Sequence, residues 1–119
     1  MTTSSTMAFT SIVEFATIKL ATGKTEVNLI EASNVFQNNF LNHQPGFIRR
    51  ELVRCSKGEY VDIVHWRSQE DIDAVMKKAE STPAVQAYFS VMEFDTETPE
   101  EDVKYYSSIA IYETSEQSV

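Results

Sequence analysis

The spacing of apolar residues changes period along the chain, and each change marks an element. Between Ser11 and Leu20 the period is two: Val13 and Phe15 share one face, and Ile12, Ala16, Ile18 and Leu20 share the other. Such alternation predicts an extended strand. Both faces are apolar at the centre, and Glu14 interrupts the second set. A carboxylate there requires a sheet edge, a partner or a wet cavity. After the turn Ala21-Thr22-Gly23-Lys24 the period lengthens. Leu29, Ala32, Phe36 and Phe40 form one stripe of an amphipathic helix within Thr25–His43. Asn34, Gln37, Asn38, Asn39 and Asn42 fall mostly on its watery side, and Thr22 or Thr25 is placed to cap its start.

Pro45-Gly46 halts this helix, and a hairpin follows. Its strands are Phe47–Cys55 and Tyr60–Trp66, rich in β-branched and aromatic residues, with Ser56-Lys57-Gly58-Glu59 as the turn. Arg49, Arg50, Glu51 and Arg54 occupy both faces of the first, which is therefore not buried on both sides. The second carries Val61, Ile63 and His65 on one face and Tyr60, Asp62, Val64 and Trp66 on the other, as an inner strand covered on both sides does. Ser68-Gln69-Glu70-Asp71 is a capping box that opens a second helix, whose inner stripe is Ile72, Val75, Met76 and Ala79. Ser81-Thr82-Pro83 breaks it, Pro83 suits the first turn of a new helix, and Val85, Tyr88, Phe89 and Met92 mark a further helical face. Asp95–Asp102 reads as an acidic, solvated connector without the ligand spacing of a Ca²⁺ loop. Val103–Glu113 reads as the last strand, with Ile109 and Ile111 on one face and Tyr106, Ala110 and Tyr112 on the other.

Strand, helix, strand, strand, broken helix, strand is the order of an α+β, ferredoxin-like βαββαβ domain. Right-handed crossovers put both helices on one face of a four-stranded antiparallel sheet. The expected organisation is one domain over residues 11–113, a disordered tail at 1–10 and a polar tail at 114–119. The open sheet face is too apolar to meet water alone, so a homodimer packed sheet to sheet is expected. Burying on the order of 1,000 Å² of apolar surface there would give roughly 25 kcal/mol gross, before the costs of association.

Composition narrows the function. Eighteen acidic residues against ten basic ones leave a net charge of −8. This argues against non-specific nucleic-acid binding and against docking on an anionic membrane. The single cysteine, Cys55, excludes an internal disulfide and suits a reducing cytoplasm. Cys55 reads as a small strand residue; a reactive thiol would need His43 or His65 beside it. No run spans a bilayer, and the first residues lack the regions of a signal peptide, so a cytoplasmic location is expected. There is no P-loop, dinucleotide-binding glycine pattern, nucleophile elbow or cysteine cluster. Gly23, Gly46 and Gly58 all fall at turns.

Phe40-Leu41, Pro45-Gly46-Phe47, Glu51-Leu52, Tyr60 and Trp66-x-Ser68, leading into a helical run that reaches Tyr88-Phe89, resemble the antibiotic biosynthesis monooxygenase domain of the dimeric α/β-barrel superfamily. The resemblance covers about residues 11–113. The family it implies includes cofactor-free monooxygenases of phenolic or quinol substrates, haem-degrading enzymes and many proteins of unknown activity. The haem-degrading branch pairs a Trp at the end of the third strand with an Asn on the first and a His on the second helix. Trp66 meets the first condition, but Ser11–Leu20 holds no Asn and Ser68–Met92 no His, so that branch is set aside. His43 and His65 match no metal-ligand pattern.

The cofactor-free branch implies an electron-rich aromatic substrate that reduces O₂ within an apolar pocket, with no bound cofactor and no metal. Trp66, Phe36, Phe40, Tyr88, Phe89 and Met92 are the candidate walls for a small apolar or aromatic ligand, although core packing explains each of them as well. His65 is the candidate base, since an imidazole titrates near neutrality, with Glu14 or Asp62 to orient it. A hydrogen-bonded strand histidine is the competing reading, because the period of two sends His65 and Trp66 to opposite faces. The alternative to an enzyme is a non-catalytic, ligand-binding or stress-associated protein of the same architecture.

Overall fold

The computed structural model describes residues 11–94 and 102–114. The elements follow the expected order: β1 (Ser11–Leu20), α1 (Glu26–Asn39), β2 (Phe47–Ser56), β3 (Glu59–Trp66), α2 (Gln69–Ala79), α3 (Pro83–Phe89), β4 (Met92–Glu93) and β5 (Val103–Ser108). A short 3₁₀ turn, Leu41–His43, links α1 to β2. The sheet is antiparallel with the order β2-β3-β1-β4, and β5 also pairs with β1. β4 lies beside Lys19 and Leu20, and β5 beside Ser11–Ala16, so the two share one edge of β1 end to end. This is the ferredoxin-like α+β arrangement.

Local chemistry explains the boundaries. Thr25 caps α1 in a reciprocal box with Asn28: the Asn28 N–H donates to Thr25 Oγ1 at 3.2 Å, and the Thr25 N–H donates to Asn28 Oδ1 at 3.0 Å. Ser68 caps α2 by accepting from the Asp71 N–H, and Pro83 occupies the first turn of α3. Ser56 pairs with Glu59 across Lys57-Gly58, a two-residue turn that Gly58 permits with φ of +80°.

β3 alternates strictly. Tyr60, Asp62, Val64 and Trp66 are buried, whereas Val61, Ile63 and His65 are half-buried. The helices therefore cover the Tyr60–Trp66 face. Phe40, Leu41, Val64, Trp66, Ile72, Val75 and Val85 pack together there, and Ile18, Leu29, Tyr60, Tyr88 and Val91 form a second cluster beside them. Phe36 touches both clusters. The opposite face carries Val13, Phe15, Val61 and Ile63, and no described element covers it. β2 is the outer strand, as its charges on both faces require.

Several expectations change. The last strand stops at Ser108 rather than Glu113. Ser108 pairs with Ser11, the first described residue of β1, and Ile109 just beyond it is 93% exposed. Met76 and Phe89 are about half exposed rather than buried. Gln37 faces inward to a buried arginine instead of water. Met1–Thr10, the 95–101 part of the acidic connector and the end of the C-terminal tail lie outside the described residues.

Candidate functional site

The helix-covered faces of β1 and β3 bring two carboxylates and the tryptophan together. The register sets Glu14 opposite Val64 and Ile12 opposite Trp66. Glu14 and Trp66 are thus diagonal neighbours on one face. The indole Nε1–H donates to Glu14 Oε1 at 2.9 Å. This is the only hydrogen bond the carboxylate makes among the described residues. Burial pushes the Glu14 carboxyl above its ordinary value; the Trp66 N–H offsets part of that rise, and the nearby Asp62 charge adds to it.

Asp62 has the opposite surroundings. Arg50, diagonal to it on β2, donates through Nε to Oδ1 at 2.7 Å and through Nη2 to Oδ2 at 3.2 Å. The Tyr88 hydroxyl donates to Asp62 Oδ2 at 2.7 Å. The guanidinium also reaches Ser33 Oγ, Gln37 Oε1 and Tyr88 Oη, at 2.7, 3.1 and 2.8 Å. Its Cζ lies 5.0 and 5.1 Å from the ring centroids of Phe36 and Tyr88. Burial and the Asp62 charge push the Tyr88 phenol well above its usual range, so it remains a donor.

Above these strands lies a cavity of about 310 Å³. Glu14, Ala16, Ile18, Asp62, Val64 and Trp66 form its floor, and Phe36, Phe40, Val75, Val85 and Tyr88 its roof. Met76, Phe89, Phe94 and Tyr105 line it while also being exposed, which places them at its opening. The volume falls at the small end of ligand pockets, and an apolar lining with a few polar groups is their usual composition. Burial, with Glu14 and Asp73 nearby, pushes the Tyr105 phenol up to about 12.

All six residues expected as walls, Trp66, Phe36, Phe40, Tyr88, Phe89 and Met92, line this one cavity. His65 does not. It lies on the other side of the sheet, opposite Val13 and Arg49. Burial and the Arg49 charge push its pKa down, and Glu51 acts the other way. Arg50, Ser33, Gln37 and Tyr105 are absent from the sequence-based set. Arg50 is signalled only by being an arginine on a strand face shared with Leu52 and facing the Asp62 row, which needs the register to be seen. Cys55 is exposed at the edge strand. Among the described residues no group of three or more His, Cys, Asp and Glu side chains is arranged to hold a metal ion. No described helix is long and apolar enough to cross a membrane.

No protein-family model and no curated protein matches the sequence. Solved structures do. SnoaB, a cofactor-independent oxygenase from Streptomyces nogalater, superimposes with a TM-score of 0.51 at 19% identity, covering 90% of this chain and 96% of that one. A candidate antibiotic biosynthesis monooxygenase from Nitrosomonas europaea gives 0.52 at 16% identity, covering 83% and 86%. The fold is that of the antibiotic biosynthesis monooxygenase-like domains. A protein from Shewanella oneidensis shares it as well, with a TM-score of 0.54 at 20% identity over 85% of this chain and 92% of that one. Identities this low establish the shared fold alone, and the chemistry must be argued from the site.

Proposed function

We propose that the cavity is the active site of a small, cofactor-independent monooxygenase for an aromatic, quinol- or anthrone-type substrate. The observation that carries this reading is a carboxylate with one hydrogen bond, Glu14, held by Trp66 on the floor of an aromatic-walled cavity. A raised carboxyl in an apolar site is a competent general base once ionised. The cavity's oxygenase-fold neighbours support the same reading. His65 faces away from the cavity, so the proton-accepting role falls to Glu14.

The proposed reaction balances without a cofactor. With an anthrone-type substrate, the ring-flanked CH₂ loses a proton to Glu14, and the carbanion passes one electron to O₂. Radical and superoxide then combine, forming the C–O bond. The peroxide anion takes the proton back from Glu14. Loss of the remaining C–H proton with O–O cleavage leaves a carbonyl and water, so R₂CH₂ and O₂ become R₂C=O and H₂O. Phe36, Phe40 and Tyr88 hold the rings and exclude water, while Trp66 orients the base.

The test is O₂ uptake with product mass across a panel of anthrones and hydroquinones, for the wild type and Glu14→Gln. The reading expects turnover with water as co-product and a loss of about 10²-fold or more in the variant, the scale of a positioned base. No uptake with any substrate refutes it. A second reading, ligand binding without turnover, has one observation in its favour: among the described residues Glu14 is a cavity carboxylate with a single donor, whereas Asp62 already has Arg50 and Tyr88. Binding without O₂ uptake selects that reading.

We also propose that a second copy covers the open sheet face, through Val13, Phe15, Val61 and Ile63. Ile63→Asp is expected to convert a dimer to a folded monomer in sedimentation. A wild-type monomer at micromolar concentration refutes the dimer.

A further inference from the structure

We infer that the cavity selects by charge as well as by shape: it takes aromatic ligands that are neutral or cationic and present an O–H or N–H donor to Glu14, and it rejects aromatic carboxylates, sulfonates and phosphates of equal size. This inference rests on the reading that the cavity is a ligand site, and it does not depend on turnover.

Three acidic side chains, Glu14, Asp62 and Asp102, line the cavity, and among the described residues no Lys, Arg or His does. The arginine beside the cavity floor, Arg50, is already engaged. Arg50 spends its donors on Asp62, Ser33, Gln37 and Tyr88. It balances Asp62 from outside the cavity lining. Glu14 has no such counter-ion. Its single bond comes from the neutral Trp66 N–H, and that bond occupies the indole's only donor. The site therefore offers acceptors and negative charge. A donor from the ligand completes the Glu14 shell, whereas an anion loses its water and meets a like charge across apolar walls. Tyr105 at the opening contributes one neutral hydroxyl, which does not replace an anion's hydration.

Three two-ring probes of matched shape test this: 2-naphthol, 2-naphthylmethylamine and 2-naphthoate, titrated calorimetrically into the full chain at about pH 8, where the first is largely neutral, the second cationic and the third anionic. The wild type is expected to bind naphthol and the amine, with naphthoate weaker by about tenfold or more, or about 1.4 kcal/mol. In Glu14→Gln, where an amide oxygen still accepts from Trp66, the gap between naphthol and naphthoate is expected to close to within about threefold, and the amine is expected to lose affinity. Naphthoate binding within about threefold of naphthol in the wild type overturns the inference, as does a gap unchanged in the variant or no binding by any probe. The wild-type ranking decides the matter if the variant does not fold. A protein that ranks the probes as stated but consumes no O₂ loses the oxygenase reading and keeps this one. A protein that turns over anionic aromatics does the reverse.

Discussion

Arg50→Met removes a guanidinium while keeping an apolar stem of similar reach, and the structure sets the expected cost. The Arg50 side chain is 5% exposed and that of Asp62 7%. The substitution deletes both bonds to Asp62 and those to Ser33, Gln37 and Tyr88, and it ends the cation–π contacts with Phe36 and Tyr88. Asp62 is left as a buried charge whose one remaining donor is the Tyr88 hydroxyl. Removing one partner of a buried ion pair costs about 3–5 kcal/mol, far more than the pair contributes over an apolar substitute. At about 3–5 °C per kcal/mol for a chain of this size, the midpoint of thermal unfolding should fall by roughly 10–25 °C. The assay is urea unfolding followed by the emission of Trp66, which is the chain's single tryptophan and is buried. Arg50→Met/Asp62→Leu removes the stranded charge and should recover about 2 kcal/mol or more of the loss. A single variant within about 1 kcal/mol of wild type would show that Asp62 is not desolvated as described. A double variant no better than the single would show that the loss comes from packing rather than charge.

Other consequences are simpler to check. Gly46 has φ of +86°, and a Cβ there would collide with the Asp71 side chain, so Gly46→Ala should cost about 1–3 kcal/mol or more in denaturant midpoint. Gly23→Ala, with φ of +83° but open space around it, should cost about 1 kcal/mol. Glu26 is held down to about 2 by its hydrogen bonds from Arg54 and then from Tyr60. Its contribution is therefore complete above the ordinary value of 4.5 and is lost as pH falls toward 2, so Glu26→Gln should flatten the stability profile in that window. Glu14 works in the opposite sense. Its raised value means that ionisation penalises the fold above that value and that the penalty disappears as the group protonates. Trp66 emission should report this step as a transition above 4.5 that Glu14→Gln abolishes; a wild-type profile flat from about pH 4 to 8 would refute it.

The fold and the cavity walls are legible in the sequence because both depend on periodicity. The stripe Leu29, Ala32, Phe36 and Phe40 and the buried set Tyr60, Val64 and Trp66 are spaced by the geometry of helix and strand, so their shared interior can be read before any contact is known. Glu14 is legible as an anomaly, a carboxylate on an apolar row, and two of the three environments that can hold it are present: a partner in Trp66 and an open cavity. Arg50 is not legible. Three neighbouring charges on β2 look alike in sequence, and only the register with β3 sets Arg50, rather than Arg49 or Arg54, beside Asp62. The end of β5 is hidden for a related reason. Ile109–Tyr112 has strand-like composition, but pairing requires a partner strand, which composition does not report. His65 attracts attention by residue type, and its alternation with Trp66 already assigns it to the other face.

Glu14 and Asp62 are two carboxylates of one cavity with opposite surroundings. Both carboxylates lie on the same sheet face, and their difference arises wholly from what donates to them. Asp62 receives a bidentate arginine and a phenol, three hydrogen bonds of 2.7, 3.2 and 2.7 Å that tie β2, β3 and α3 together through one side chain. A group so engaged cannot take a proton from a guest without dismantling its own network, so it is suited to holding the fold. Glu14 receives one neutral donor and faces free volume. Its burial is compensated only in part, chiefly by the Trp66 N–H, and a ligand bearing a further donor satisfies it better. Exchanging these roles requires moving the arginine, not the carboxylates. Leu52 faces Asp62 across β2 and β3, and β3 separates β2 from β1, so the strand order itself gives the counter-ion to Asp62 rather than to Glu14.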